Sequence, residues 1–130
     1  MNFQSLLQNY CMPKRKPLQT LEDIADAVDK IFIYTYEMSF QEFMNNDQAI
    51  DAVLRNFGVI GEAANRLPCN FKSENGSIEW RQIIGFRNHI IHEYFQIDYE
   101  KIWRIKEGKL IELAGATEQI IDKLYLQSGQ

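Results

Sequence analysis

Residues 45–68 read NNDQAIDAVLRNFGVIGEAANRLP, and this stretch decides the fold class. Asn45, Asn46 and Asp47 carry short side chains that accept hydrogen bonds from the free N–H groups at a helix start. Behind them Ile50, Val53, Leu54, Phe57, Ile60, Gly61, Ala64 and Leu67 recur at short, mostly three- and four-residue steps that line one face of a helix. Pro68 lacks an N–H and clashes with the preceding turn, so the helix stops there. A long helix with one apolar stripe has to bury that stripe against neighbours.

On its N-terminal side, Thr20-Leu21-Glu22-Asp23 has the form of a capping box, followed by Leu21, Ile24, Ala25, Val28, Ile31, Phe32 and Thr35 at helical steps. Ser39-Phe40-Gln41-Glu42 repeats the capping pattern for a short helix. On the C-terminal side, CNFKSENG (69–76) is polar and turn-like and reads as a surface connection. Ser77 is the expected cap of a helix that turns Trp80, Ile83 and Ile84 inward and runs to about Tyr94. Asp98 caps the next helix, with Ile102, Trp103 and Ile105, and Gly108 breaks it from a last helix ending near Leu126. No stretch alternates with period two for long enough to form a strand. The expectation is an all-α, antiparallel four- to five-helix bundle over residues 20–127, preceded by an arm, residues 1–19, that contains Pro13, Lys14-Arg15-Lys16 and Pro17.

Composition narrows the classes. Hydrophobic residues make up 45% and charged residues 25% of the 130, the balance of a soluble globular domain. No apolar run is long enough to span a bilayer and the polar start has no signal-peptide pattern, so a cytoplasmic protein without membrane contact is expected. Cys11 and Cys69 are far apart and belong to no ligand spacing, which argues against a disulfide framework or a structural zinc. The net charge of −4 argues against a general nucleic-acid coat. That charge is uneven: residues 81–109 hold 6 basic against 4 acidic side chains, whereas residues 1–80 hold 7 against 11. The distribution leaves room for a local basic site on an acidic body.

That basic segment holds the chemistry. Arg87, Asn88, both histidines (His89 and His92) and Tyr94 fall within eight residues. On an ideal helix Asn88 and His92 lie about 100° and 140° from Arg87, His89 about 200° and Tyr94 about −20°. Asn88 and His92 therefore share a face. Cleaving RNA by attack of a 2′-hydroxyl on its own phosphate needs a proton taken, a proton given and negative charge stabilised. Histidine does the first two near neutral pH. Arginine offers planar, bidentate donors to phosphate, and asparagine orients a phosphate or an imidazole. One helix supplies one well-placed acid/base, His92, so two copies about a two-fold axis would supply both. The same residues also admit a plainer reading, in which Arg87 pairs with a core-edge carboxylate such as Glu62, His92 is a satisfied helix-end histidine and Tyr94 a packed aromatic.

Arg87-Asn88-His89-Ile90-Ile91-His92 resembles the Arg-x-x-x-x-His motif of the HEPN ribonucleases, and His92-Glu93-Tyr94 extends it to the Arg-x-x-x-x-His-x-Tyr form of HepT-like toxins. The surroundings are similar in order and spacing too: Asp51 to Asn56, Ile60-Gly61-Glu62-Ala63-Ala64, Leu67-Pro68 and Trp80 to Asn88, within a likeness running from about Leu21 to Leu124. The resemblance implies a HEPN-type helical fold and a homodimer with the motif lining the cleft between protomers. It implies a metal-independent endoribonuclease toxin that needs no cofactor and cuts RNA, tRNA or mRNA. Its catalytic residues would be Arg87, Asn88 and His92, with His89, at a variable family position, as a possible auxiliary. It also implies a partner, a minimal nucleotidyltransferase antitoxin that neutralises the toxin by transferring AMP from ATP to Tyr94. The competing readings are a non-catalytic partner module of a nucleotidyltransferase and a purely structural bundle.

Overall fold

A computed structural model describes residues 16–129. Helix α1 spans Pro17–Tyr34, α2 Phe40–Met44, α3 Asp47–Arg66, α4 Cys69–Glu74, α5 Trp80–His92, α6 Tyr99–Glu107 and α7 Lys109–Ser128, with a 3₁₀ turn at Tyr94–Gln96. No strand occurs among the described residues. Helix α3 is the hub. It packs against α1 on one side and α5 on the other, while α7 closes on α1 and α6, and α2 bridges α3 and α6. The protein is the expected HEPN-type all-α bundle, with five longer helices and two short ones.

The core lies along the α1–α3 seam. Leu21, Ile24, Val28 and Ile31 from α1 meet Val53, Ile60 and Ala64 from α3, all essentially sealed from solvent. Burying each large aliphatic chain contributes about 1.5–3 kcal/mol. Phe43 of α2 is fully buried and stacks at a tilt on Trp103 of α6, ring centroids 5.1 Å apart. Lys106 lies 3.7 Å over the outer part of that cluster, at the Trp103 ring centroid, and its burial lowers its pKa. At the far end the Tyr125 hydroxyl of α7 donates to Glu22 of α1 at 2.9 Å.

Several starts follow the expected chemistry. Ser39 and Glu42 form both halves of the capping box. Asn46 accepts from the N–H of Ala49, and Asp98 from that of Lys101. Gly108 breaks α6 from α7, which runs to Ser128, two residues past the expected end.

Other expectations need correction. Helix α1 opens at Pro17, whose ring pre-sets a helical φ, so Thr20 sits inside the first turn, buried, and does not cap. The last three residues of the expected arm are thus helical, and residues 1–15 of it lie outside the described residues. The segment expected to be a surface connection forms α4, because Phe71 is buried and Lys72 donates to the carbonyl of Ala64 near the end of α3. Helix α5 starts at Trp80, not from a cap at Ser77, and has no side-chain cap. Trp80 is buried as expected, with Ile78 beside it, and its indole N–H anchors the start on the carbonyl of Asn75. Helix α5 ends at His92, so Tyr94 lies beyond it in the 3₁₀ turn and the helical angle expected between Arg87 and Tyr94 does not apply. No helix among the described residues is long and apolar enough to cross a membrane.

Candidate functional site

Helices α3 and α5 touch at a glycine. A Cβ placed on Gly61 would lie 2.1 Å from Cβ of Arg87 and 2.6 Å from its Cγ, so only glycine lets the two helices approach this closely. The root of the Arg87 side chain is therefore wedged against the backbone of α3. Its guanidinium is held twice: Nη2 donates to Glu62 Oε2 at 2.6 Å, and Nη1 donates to Asn88 Oδ1 at 2.9 Å. The other Glu62 oxygen faces Nε of Arg66 at 3.3 Å. The ion pair weighed for Arg87 in the plainer reading thus exists. It leaves three of the five guanidinium N–H groups unused, enough for bidentate contact with a phosphate.

This pair lies in a cleft of about 520 Å³ floored by α3 and α5 and walled by the start of α1. Arg55, Val59, Glu62 and Arg66 recur along one side of α3 and all line it, as do Arg87 and Ile91 from α5. The Arg55 side chain makes no hydrogen bond or ion pair among the described residues. Three arginines converge on a chain that is acidic overall. Sequence reasoning did not single out Arg55 or Arg66; their four- and seven-residue spacings from Val59 are the signal that would have found them.

The two histidines part company. His92 ends α5, exposed, four residues on from Asn88, with no hydrogen bond or ion pair among the described residues. It does not touch Arg87 within one chain. His89 is on the opposite flank, where its Nδ1 meets Glu93 Oε2 at 3.0 Å and it borders a second, apolar cleft of about 540 Å³ between α5 and the α6–α7 pair. Asn88 belongs with Arg87 through its hydrogen bond.

Tyr94 is half exposed and packs edge-on against Phe95, centroids 5.6 Å apart. It also stands near Tyr99, whose phenol is shifted upward first by burial, then by the proximity of Tyr94 and Asp51. Phe95 is 97% exposed, and Val59 and Ile91 are also exposed, so apolar surface borders the motif. Among the described residues no group of three or more His, Cys, Asp or Glu side chains is placed to hold a metal ion.

The protein is thus an all-α bundle that carries an arginine and a histidine five positions apart on one helix, the histidine at its end. A family model described as ribonuclease HepT-like matches residues 24–120, and the chain belongs to that family. It is similar to a "Putative RNase" of Methanocaldococcus jannaschii, 34% identical over 113 residues that cover 87% of this chain and 97% of the relative. A "Probable ribonuclease HepT" of Thermococcus cleftensis is 34% identical over 107 residues, 82% of this chain and 97% of the relative. No solved structure gives a significant match.

Proposed function

We propose that the protein is a metal-independent endoribonuclease toxin of a type VII-like toxin–antitoxin pair, working as a homodimer around Arg87-Asn88-His92. The observation that carries this reading is the Arg87 guanidinium, fixed by Glu62 and Asn88 yet with donors to spare, on the same helix as His92, whose side chain has no partner among the described residues. A His92 imidazole takes the proton of the RNA 2′-hydroxyl as its oxygen bonds to phosphorus. The bond to the 5′ oxygen breaks, and that oxygen takes a proton from the second His92 of the dimer. The products are a 2′,3′-cyclic phosphate and a 5′-hydroxyl. Arg87 stabilises the charge that builds on the phosphoryl oxygens, and Asn88 keeps the guanidinium in plane. Val59, Ile91 and Phe95 supply apolar surface for the partner copy next to the motif. His89, tied to Glu93 on the other flank, has no step in this scheme.

Tyr94 is the acceptor for the antitoxin. Its hydroxyl oxygen attacks the α-phosphorus of ATP, pyrophosphate leaves, and the phenolic proton is lost to solvent or to a base on the nucleotidyltransferase. A half-exposed ring in a short turn just past the motif is accessible to another protein's active site. The added adenylate brings bulk and negative charge beside the histidine and competes with RNA for the same field.

The test is cleavage of labelled tRNA and mRNA by unmodified protein in EDTA, with intact mass confirming a free Tyr94 and His92→Ala run alongside. Cleavage that persists in EDTA and disappears in the variant is expected. No cleavage by verified unmodified dimer, with Tyr94 still accepting AMP from its partner, would favour the non-catalytic partner module.

A further inference from the structure

We propose that Glu62 is a positioning residue for RNA cleavage, acting through Arg87; this rests on the nuclease reading above. The geometry runs from backbone to guanidinium. Gly61 brings α5 so close that the first two carbons of the Arg87 side chain press on α3, which limits the directions the chain can leave by. The very next residue, Glu62, then receives the far end of that side chain at 2.6 Å. Arg87 is thus held at its root by a missing side chain and at its tip by a carboxylate. An arginine left to itself at a partly exposed helix position samples many rotamers, and a catalytic cation has to be in place before the transition state forms.

Glu62 does not act as the base. Each of its oxygens already faces an arginine, Oε2 Arg87 and Oε1 Arg66, and two neighbouring cations favour the ionised carboxylate over a group that takes up a proton. Nor does it help by charge. A carboxylate in the cleft opposes an incoming phosphate, and the arginines at 55, 66 and 87 would attract RNA more strongly without it. The negative charge is the cost of orientation. Electrostatics alone and positioning therefore predict opposite signs for its removal, and kinetics can tell them apart.

The experiment compares wild type, Glu62→Gln and Glu62→Ala as full-length, unmodified protein, measuring kcat and KM for a labelled RNA in EDTA, with thermal melts to verify folding. Positioning predicts that kcat falls about 100-fold in Glu62→Ala, the scale set by a small misplacement of a catalytic group. Glu62→Gln keeps an acceptor oxygen for Nη2 but loses the charge and, since its NH2 cannot accept, the contact with Arg66, so its kcat falls less than in Glu62→Ala, about tenfold, since charge-assisted bonds are roughly twice as strong as neutral ones. KM stays equal or drops in both. The Nε–Hε resonance of Arg87, read by ¹⁵N NMR without RNA, broadens or averages in Glu62→Ala. Wild-type kcat in both folded variants overturns the role while leaving the nuclease standing, as does a fall in kcat that only matches the loss of folded protein. Absence of cleavage in the wild type overturns the nuclease reading and this role together.

Discussion

Helix α3 has two seams built on different physics. Toward α1 it presents Val53, Ile60 and Ala64 to Leu21, Ile24 and Ile31, a dry interface in which apolar area does the holding. Toward α5 it presents Gly61, where contact depends on having no side chain, and Glu62, where contact is an ion pair with Arg87. Helix α5 itself buries only Trp80 and Ile90. The first seam stores stability and the second fixes a cation; under the proposed nuclease reading the molecule separates what holds it together from what its chemistry would use.

The contrast can be tested by substitutions ranked by their expected effect on stability. Ile24→Ala, in the dry seam, should cost about 2–5 kcal/mol in denaturant unfolding, with cleavage per folded molecule unchanged. Gly61→Ala should cost about 1–3 kcal/mol as an overpacked contact. Unlike Ile24→Ala it should also lower kcat, because it pushes Arg87 off its carboxylate; unchanged kcat would break the link between the close approach and the chemistry. Asn46→Ala, which removes the α3 cap far from the cleft, should cost about 1 kcal/mol and leave kcat alone. His92→Ala should change stability by less than about 0.5 kcal/mol, as an exposed residue whose side chain has no partner among the described residues, while abolishing cleavage. A loss of several kcal/mol there would mean that His92 belongs to the fold.

The smallest effect is alkaline. Burial raises the Tyr99 pKa above the ordinary 10.0, so as pH climbs past that value the unfolded chain sheds this proton first and the folded state holds more protons. Stability therefore falls with pH in that window. Tyr99→Phe should remove part of the fall in melts taken between about pH 9 and 11.

Legibility followed the range of the interaction. The caps at Ser39, Asn46 and Asp98 and the break at Gly108 were readable because they depend on neighbours within four residues. Thr20 and Ser77 carried the same local signal and failed, since Pro17 had already opened one helix and the Trp80 indole fixed the other on Asn75. Helix α4 was missed because a single aromatic, Phe71, pays for it by burial, and one apolar residue makes no periodic pattern. In the site, Arg87, Asn88 and His92 stood out as a motif, and Glu62 only as one possible partner for Arg87. Arg55 and Arg66 offered only their helical spacing, a weak signal, since surface arginines on a helix are common and only a facing helix makes a cleft of them.

By itself the sequence determined the helical class, the apolar stripe of α3 and the cluster of arginine, asparagine and histidine near the end of α5, because periodicity and motif spacing are properties of neighbours along the chain. Only the three-dimensional structure showed that His89 borders the apolar cleft and not the one with Arg87, that Tyr94 lies beyond the helix, and that Glu62 joins Arg87 to Arg66. The meeting of Glu62 with Arg87 depends on how near α5 comes to α3, a distance set by the missing side chain at Gly61 and visible only once both helices are packed.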